Sequence, residues 1–127
     1  MHEYARLIDL AQFDDVAALF AAGEWFGLEG ADAVRAWFAD NVILYDGSPR
    51  TQHVVSNVDV RVDDDRRTAQ AHSYITVFQQ VEPGGPIVAI TANYYVDSFA
   101  RRDGQWSFAK RSIHRRLVGD ATSHRRA

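Results

Sequence analysis

Hydrophobic positions in the first 40 residues recur at the spacing of an α-helix. The i, i+3, i+4, i+7 spacing of one buried helix face is followed by Tyr4, Leu7, Ile8 and Ala11. Asp14 then precedes a short apolar run, where its carboxylate can accept the N–H bonds that begin a second helix. A third helix is predicted over residues 31–40.

From residue 41 onward the hydrophobic period changes to two, which is typical of β-strands. A short strand is predicted over residues 42–45, and longer ones over residues 53–62, 68–81, 87–101 and 106–117. Turn-forming residues separate these strands, so they are expected to pair as an antiparallel meander. Helices followed by a meander predict an α+β fold, with N-terminal helices packed against one face of a curved antiparallel sheet.

Two of the predicted strands carry faces that mix aromatic with hydrogen-bonding residues. One face of the third strand presents Gln70, His72, Tyr74, Thr76 and Phe78. One face of the fourth presents Thr91, Asn93, Tyr95, Asp97 and Phe99. Such faces fit a ligand cavity, which needs apolar walls and a few placed polar groups. They fit a half-buried dimer interface equally well.

Composition and charge narrow the class of protein. The 127 residues are 46% hydrophobic and 24% charged, as expected for one soluble globular domain, residues 1–127. No apolar run is long enough for a bilayer, no signal peptide is recognisable, and the absence of cysteine fits a cytoplasmic location. Basic residues concentrate after residue 100, and a flexible basic tail is expected from about residue 118. No aromatic platform accompanies them, so nucleic-acid binding is not expected.

Three segments resemble the SnoaL-like domains and scytalone dehydratase, within the nuclear transport factor 2-like superfamily. They are the first helix with its following aspartate (residues 4–14), the sequence Arg50-Thr51-Gln52-His53, and the final hairpin Asp103-Gly104-Gln105-Trp106-Ser107-Phe108. The resemblance implies a sheet that closes into a cone-shaped pocket. It also implies a lyase or isomerase that works without a cofactor on a hydrophobic, cyclic, oxygenated substrate.

The same resemblance assigns candidate catalytic residues. Asp9 matches the dehydratase's helical aspartate, and His53 matches the first of its two histidines. The family's second histidine, a tyrosine and an asparagine are replaced by Phe78, Ile8 and Tyr95. The resemblance therefore implies an acid/base pair, Asp9–His53, in a pocket whose walls differ from those of the dehydratase.

Histidine titrates near neutral pH, so His53 suits proton transfer, and a carboxylate such as Asp9 would fix its tautomer. The residues predicted to contact the substrate are Trp25, Tyr45, Asn57, His72, Tyr74, Phe78, Tyr95 and Arg111. Structural alternatives stay open for four of them: Trp25 as a core anchor, Asn57 as a bulge residue, His72 as a structural histidine, and Arg111 as an ion-pair partner of Asp97. The histidines lack metal-ligand spacing, so no metal site is expected.

Two functions from different classes remain open at this point. One is the small lyase or isomerase. The other is a non-catalytic module that binds a small molecule or assembles with other subunits, because one fold supports many functions. Either form is predicted to be a homodimer through the outer sheet face, on which the expected apolar residues are Val54, Val58, Val60 and Trp106.

Overall fold

Three helices occupy the N-terminal part of the chain and pack against one face of a six-stranded sheet. The structure is a computed structural model that describes residues 2–126. The helices are α1 (His2–Asp9), α2 (Phe13–Ala18) and α3 (Gly30–Asn41). The strands are β1 (Glu24–Trp25), β2 (Leu28–Glu29), β3 (Thr51–Val62), β4 (Thr68–Gln79), β5 (Val88–Arg102) and β6 (Gln105–Val118). The predicted α+β class is confirmed.

The sheet has the strand order β2-β1-β6-β5-β4-β3. The four long strands pair as the predicted antiparallel meander. The very short β1 pairs parallel with β6, which makes the sheet mixed. Two-residue strands are too short to show an alternating pattern, so the sequence does not reveal β1 and β2. The predicted strand over residues 42–45 is replaced by isolated bridges at Val42 and Tyr45.

The face of β4 that packs against the helices is the opposite of the one predicted to line a cavity. Its buried residues are Ala69, Ala71, Ser73, Ile75, Val77 and Gln79. Small side chains in this row leave room for large aromatic ones such as Phe20, which stacks on Phe108 with the ring centroids 4.8 Å apart. On β4 the mixed aromatic and polar face is therefore the outer face of the sheet, whereas on β5 the predicted mixed face, with the buried Tyr95 and Asp97, is the helix-facing one.

A β-bulge in β3 reverses the alternation that the sequence suggests. The register shifts between Ser56 and Asp59, and Asn57 has a φ of 52°. Asparagine adopts this left-handed conformation more readily than most residues, and the bulge bends the strand. Beyond it, Val60 pairs with the buried Ala71 and so shares the helix-facing side.

The residues predicted to form an apolar patch on the outer face are therefore not all found on that face. Val54 lies there, since it pairs with Thr76 of the outer row. Val60 lies on the other side, and Val58 falls within the bulge. Trp106 stands two residues before the buried Phe108 in regular pairing, so it also points to the helix-facing side. The valine and tryptophan set predicted for this face was therefore largely wrong.

The C-terminal segment, residues 119–126, is hydrogen-bonded to the domain, in contrast to the flexible tail expected from about residue 118. The Gly119 amide donates to the Ile90 carbonyl at 2.8 Å. The Ile43 amide donates to the His124 carbonyl at 2.9 Å, and the Arg126 amide donates likewise to the Asn41 carbonyl at 2.9 Å. The segment therefore crosses from the end of β6 to the end of α3.

Candidate functional site

A small cavity lies between the helices and the concave face of the sheet, and the C-terminal segment forms part of its wall. Its volume is about 80 Å³. Ligand pockets for drug-sized molecules usually measure about 300–1,000 Å³. The lining comes from the helices (Tyr4, Ile8, Trp37), the sheet (Trp25, His53, Thr91, Asn93, Tyr95, Arg115) and the C-terminal segment (His124, Arg125), among others.

Asp9 and His53 meet at one wall of this cavity. Asp9 ends α1 and His53 lies near the start of β3, so the packing of that helix on that strand brings them together. His53 Nδ1 lies 2.6 Å from Asp9 Oδ1, and the His53 amide donates to Asp9 Oδ2 at 2.8 Å. Thr51 Oγ1 also donates to Oδ1, at 2.9 Å. The carboxylate is thus fixed by three donors.

The burial of the pair leaves one ring nitrogen for a ligand. The His53 side chain is 7% exposed and that of Asp9 is 18% exposed. His53 lines the cavity, whereas Asp9 lies behind it. A carboxylate can only accept, so in the neutral imidazole this contact assigns the proton to Nδ1 and the lone pair to Nε2. This is the arrangement of an imidazole that is prepared to accept a proton.

Two buried tyrosines form the adjoining wall. Tyr4 of α1 accepts a hydrogen bond from Trp25 Nε1 at 2.8 Å, and its ring meets that of Tyr95 edge-on at 5.9 Å. Burial raises the pKa of Tyr4, against the opposing charge of Arg111, and raises the pKa of Tyr95 well above its usual value. Both phenols therefore stay protonated at neutral pH. Neutral phenols can donate hydrogen bonds to an oxygen that gains negative charge.

Arg111 and Asp97 form a buried ion pair behind this aromatic wall. Arg111 Nε and Nη2 donate to the two carboxylate oxygens of Asp97 at 2.8 and 2.7 Å. The guanidinium lies 3.9 Å from the ring centroid of Tyr95 and 4.3 Å from that of Tyr4. Arg111 is outside the cavity lining. The ion-pair alternative is the one found, and the predicted contact with substrate is replaced by support for the two tyrosines.

Besides Arg111, five other predicted substrate-binding residues lie outside the cavity. Tyr45 donates a hydrogen bond to the Ser123 carbonyl at 2.6 Å, and Asn57 is the exposed bulge residue. His72, Tyr74 and Phe78 belong to the outer row of β4, where the Tyr74 residue is 47% exposed. The parity of β4 was assigned wrongly because its inner row is built from alanine and serine as well as branched residues. Of the predicted contacts, Trp25 and Tyr95 line the cavity.

The sequence-based prediction missed His124. Its ring lies 6.0 Å from that of His53, centroid to centroid, and its Nδ1 is buried without a hydrogen-bond partner among the described residues. Burial, and then the charges of His53 and Arg125, lower the pKa of His124 to about 4. Its position in a polar, basic C-terminal stretch gave no periodic signal that could have placed it in a cavity.

In the part of the chain that the structure describes, no three His, Asp or Glu side chains come together as a metal site would require. Among residues 2–126 there is also no helix with the length and hydrophobicity needed to cross a membrane. The cytoplasmic location stays a prediction.

Helices on the concave face of a bent sheet, with a cavity between them, define an α+β domain of the cystatin-like class. The model of the SnoaL-like domain family matches residues 1–112. The chain therefore belongs to the SnoaL-like domain family, as the resemblance implied. No curated protein matches the sequence.

Solved structures agree on the fold. Aln2 from a Streptomyces species is 22% identical, with a TM-score of 0.71 over 90% of this chain and 83% of that one. ActVI-ORFA from Streptomyces coelicolor is 18% identical, with a TM-score of 0.74 over 90% of each chain. A structure described as a putative scytalone dehydratase from Novosphingobium aromaticivorans is 22% identical, with a TM-score of 0.67 over 94% and 86%. At these identities the likeness establishes the fold.

Proposed function

We propose that this protein is a small lyase or isomerase in which His53 and Asp9 act as an acid/base pair on a hydrophobic, cyclic, oxygenated compound. The observation that carries the proposal is the 2.6 Å contact between His53 Nδ1 and Asp9 Oδ1, made by a histidine that lines a cavity. A carboxylate that holds an imidazole in this way fixes its tautomer and stabilises the imidazolium. The proposed chemistry uses side chains alone and requires no cofactor.

The proposed reaction begins with proton transfer beside a carbonyl. His53 Nε2 takes a proton from the carbon next to the substrate carbonyl, and Asp9 stabilises the charged ring. The carbonyl oxygen becomes an enolate, which accepts a hydrogen bond from the Tyr4 phenol. The Tyr4 oxygen accepts the Trp25 N–H, and its own O–H is the group proposed to donate to the enolate. The imidazolium then returns the proton, either to another carbon in an isomerisation or to a departing hydroxyl in a dehydration.

The size of the cavity limits the substrate. About 80 Å³ is less than the apolar cavity of about 150 Å³ that holds benzene in an engineered protein. A polycyclic compound would require displacement of the walls. We therefore propose a compound with one ring, part of which stays at the cavity mouth.

A dehydration assay tests this proposal. Single-ring β-hydroxy ketones are incubated with the protein, and the conjugated enone that forms on loss of water is followed by its ultraviolet absorbance. His53→Ala is expected to lower the rate by about 10²–10⁴-fold, the usual contribution of a general base. His72→Ala is the matched control, because His72 is an exposed strand histidine on the outer face. Equal rates for wild type and His53→Ala would refute the catalytic role.

A non-catalytic binding module is the second candidate, and one observation favours it. The cavity is small, since the protein's own aromatic side chains, including Trp25, Trp37 and Phe38, occupy much of the space between the layers. The two functions predict different outcomes with one set of ligands. A binding module would hold a single-ring ketone without converting it, and substitution of His53 would change only the affinity.

We also propose that the protein forms a homodimer through the outer sheet face. Tyr74 pairs with Tyr94, whose ring stacks on His114 at 4.6 Å, and the neighbouring Leu117 is 67% exposed. No described helix covers this face, and aromatic residues are enriched in interfaces. Leu117→Glu is expected to give a monomeric mass in light scattering at micromolar concentration. Leu10→Glu, at an exposed position just after α1, is the control, and a monomeric wild type would contradict the dimer.

A further inference from the structure

Two arginines from separate segments share one side of the cavity. Arg115 projects from β6 and Arg125 from the C-terminal segment, and both line the cavity that His53 lines. Every ion pair between side chains in residues 2–126 involves other residues, so neither guanidinium has a carboxylate partner there. Two cations that face the same small space without a counter-charge are unfavourable unless an anion binds.

The positive charge of the two arginines affects the pKa values of Arg125 and His124. Burial, followed by the positive charge of Arg115, lowers the pKa of Arg125. Arg125 also contributes to the lowered pKa of His124. The cavity therefore has a region of positive potential to which His124 adds no charge at neutral pH. An anionic group is the ligand chemistry that this region would recognise.

The side-chain amide of Asn93, a neutral hydrogen-bond donor, also favours an anionic ligand. Asn93 is the direct cross-strand partner of Arg115 and also lines the cavity. Thr91 Oγ1 donates to Asn93 Oδ1 at 2.9 Å, which fixes the amide and leaves its NH₂ group as the free end. This part of the wall thus offers guanidinium and amide N–H donors and no acidic acceptor. Donors of this kind bind carboxylates.

We propose that Arg115, Arg125 and Asn93 form a subsite for a carboxylate carried by the ligand. The inference rests on the proposed function for the chemistry at His53 and adds the class of substrate, a cyclic ketone or hydroxy ketone that bears a carboxylate. The ring of His124, whose chain neighbour is Arg125, lies 6.0 Å from the ring of His53. The proposed ligand would place its carboxylate at the arginines and its carbonyl beside His53, since these residues line one cavity.

Binding of two matched probes tests the subsite. 4-Oxocyclohexanecarboxylate and its carboxamide have nearly the same shape and differ in charge. We expect the carboxylate to bind at least about 10-fold more tightly in NMR titrations, the effect of one charge-assisted contact. Arg125→Gln and Arg115→Gln should each remove most of this preference. Arg115 is an exposed strand residue, so its variant keeps the test valid even if Arg125→Gln fails to fold.

Arg116→Gln is the control for general surface charge, because Arg116 adjoins Arg115 in sequence but is absent from the cavity lining. An unchanged preference in Arg116→Gln supports the subsite, and an equal loss there overturns it. Equal binding of the two probes, or binding of neither up to 10 mM probe (roughly the weak limit of specific recognition), also overturns it. The proposed function is judged separately, by whether His53→Ala slows conversion of neutral β-hydroxy ketones.

Discussion

The buried imidazole of His124 makes the stability of the fold depend on pH. Its pKa is about 4 in the folded protein, against an ordinary value of about 6.5. Between these values the unfolded chain binds a proton that the folded protein does not. The free energy of unfolding therefore falls as the pH is lowered from about 6.5 towards 4, and this contribution is fully present above about 6.5.

The size of the effect follows from the difference in pKa. At 1.36 kcal/mol for each pKa unit, a difference of about 2.5 units corresponds to about 3 kcal/mol of stability lost between neutral pH and pH 4. Protonation of carboxylates also lowers the free energy of unfolding in acid. Carboxylates distant from residue 124 lower it equally in wild type and in a variant at that residue. The His124 contribution is therefore measured as a difference between two proteins.

Urea denaturation followed by tryptophan fluorescence, at pH values from 4 to 8, measures this difference. His124→Asn removes the titrating group, and we expect its stability to fall by about 3 kcal/mol less than that of wild type over this range. His72→Asn removes an exposed histidine and should follow the wild-type profile. Parallel profiles for wild type and His124→Asn would refute the burial of an uncharged His124 in the cavity wall.

Two further predictions concern the framework of the site. Asp97→Ala leaves the Arg111 charge buried without its carboxylate, so the free energy of unfolding is expected to fall by about 3–5 kcal/mol in the same assay. A fall of less than about 1 kcal/mol would contradict the buried pair. Gly23→Ala would bring a Cβ to 2.3 Å from the Phe108 carbonyl oxygen. Because the backbone must shift to relieve this contact, a loss of about 1–3 kcal/mol is expected, and unchanged thermal stability would contradict it.

Much of the fold was predictable because long periodic segments carry a strong signal. The helical spacing of Tyr4, Leu7 and Ile8 indicated a buried face, and those residues are buried. The meander followed from alternation and turn residues. The Asp9–His53 contact could be anticipated only through the family resemblance. Neither residue has a local pattern that distinguishes a site from a surface.

The side-chain faces of β3 and β4 and the position of His124 depended on features that alternation alone does not encode. A single extra residue in a bulge, here at Asn57, moves every later side chain of β3 to the other face. On β4 the inner row contains Ala69, Ala71 and Ser73, so hydrophobicity alone favoured the wrong face. The C-terminal segment is held by backbone hydrogen bonds, which have no sequence signature, and this concealed His124.

The proton transfer proposed for His53 can be measured without knowledge of the natural substrate. The protein is incubated with 4-oxocyclohexanecarboxamide in D₂O, and NMR follows exchange of the protons beside the carbonyl. We predict catalysed exchange by the wild type and by His72→Ala, a loss of about 10²–10⁴-fold in His53→Ala, and a smaller loss in Asp9→Asn. Exchange by His53→Ala at the wild-type rate would contradict the account.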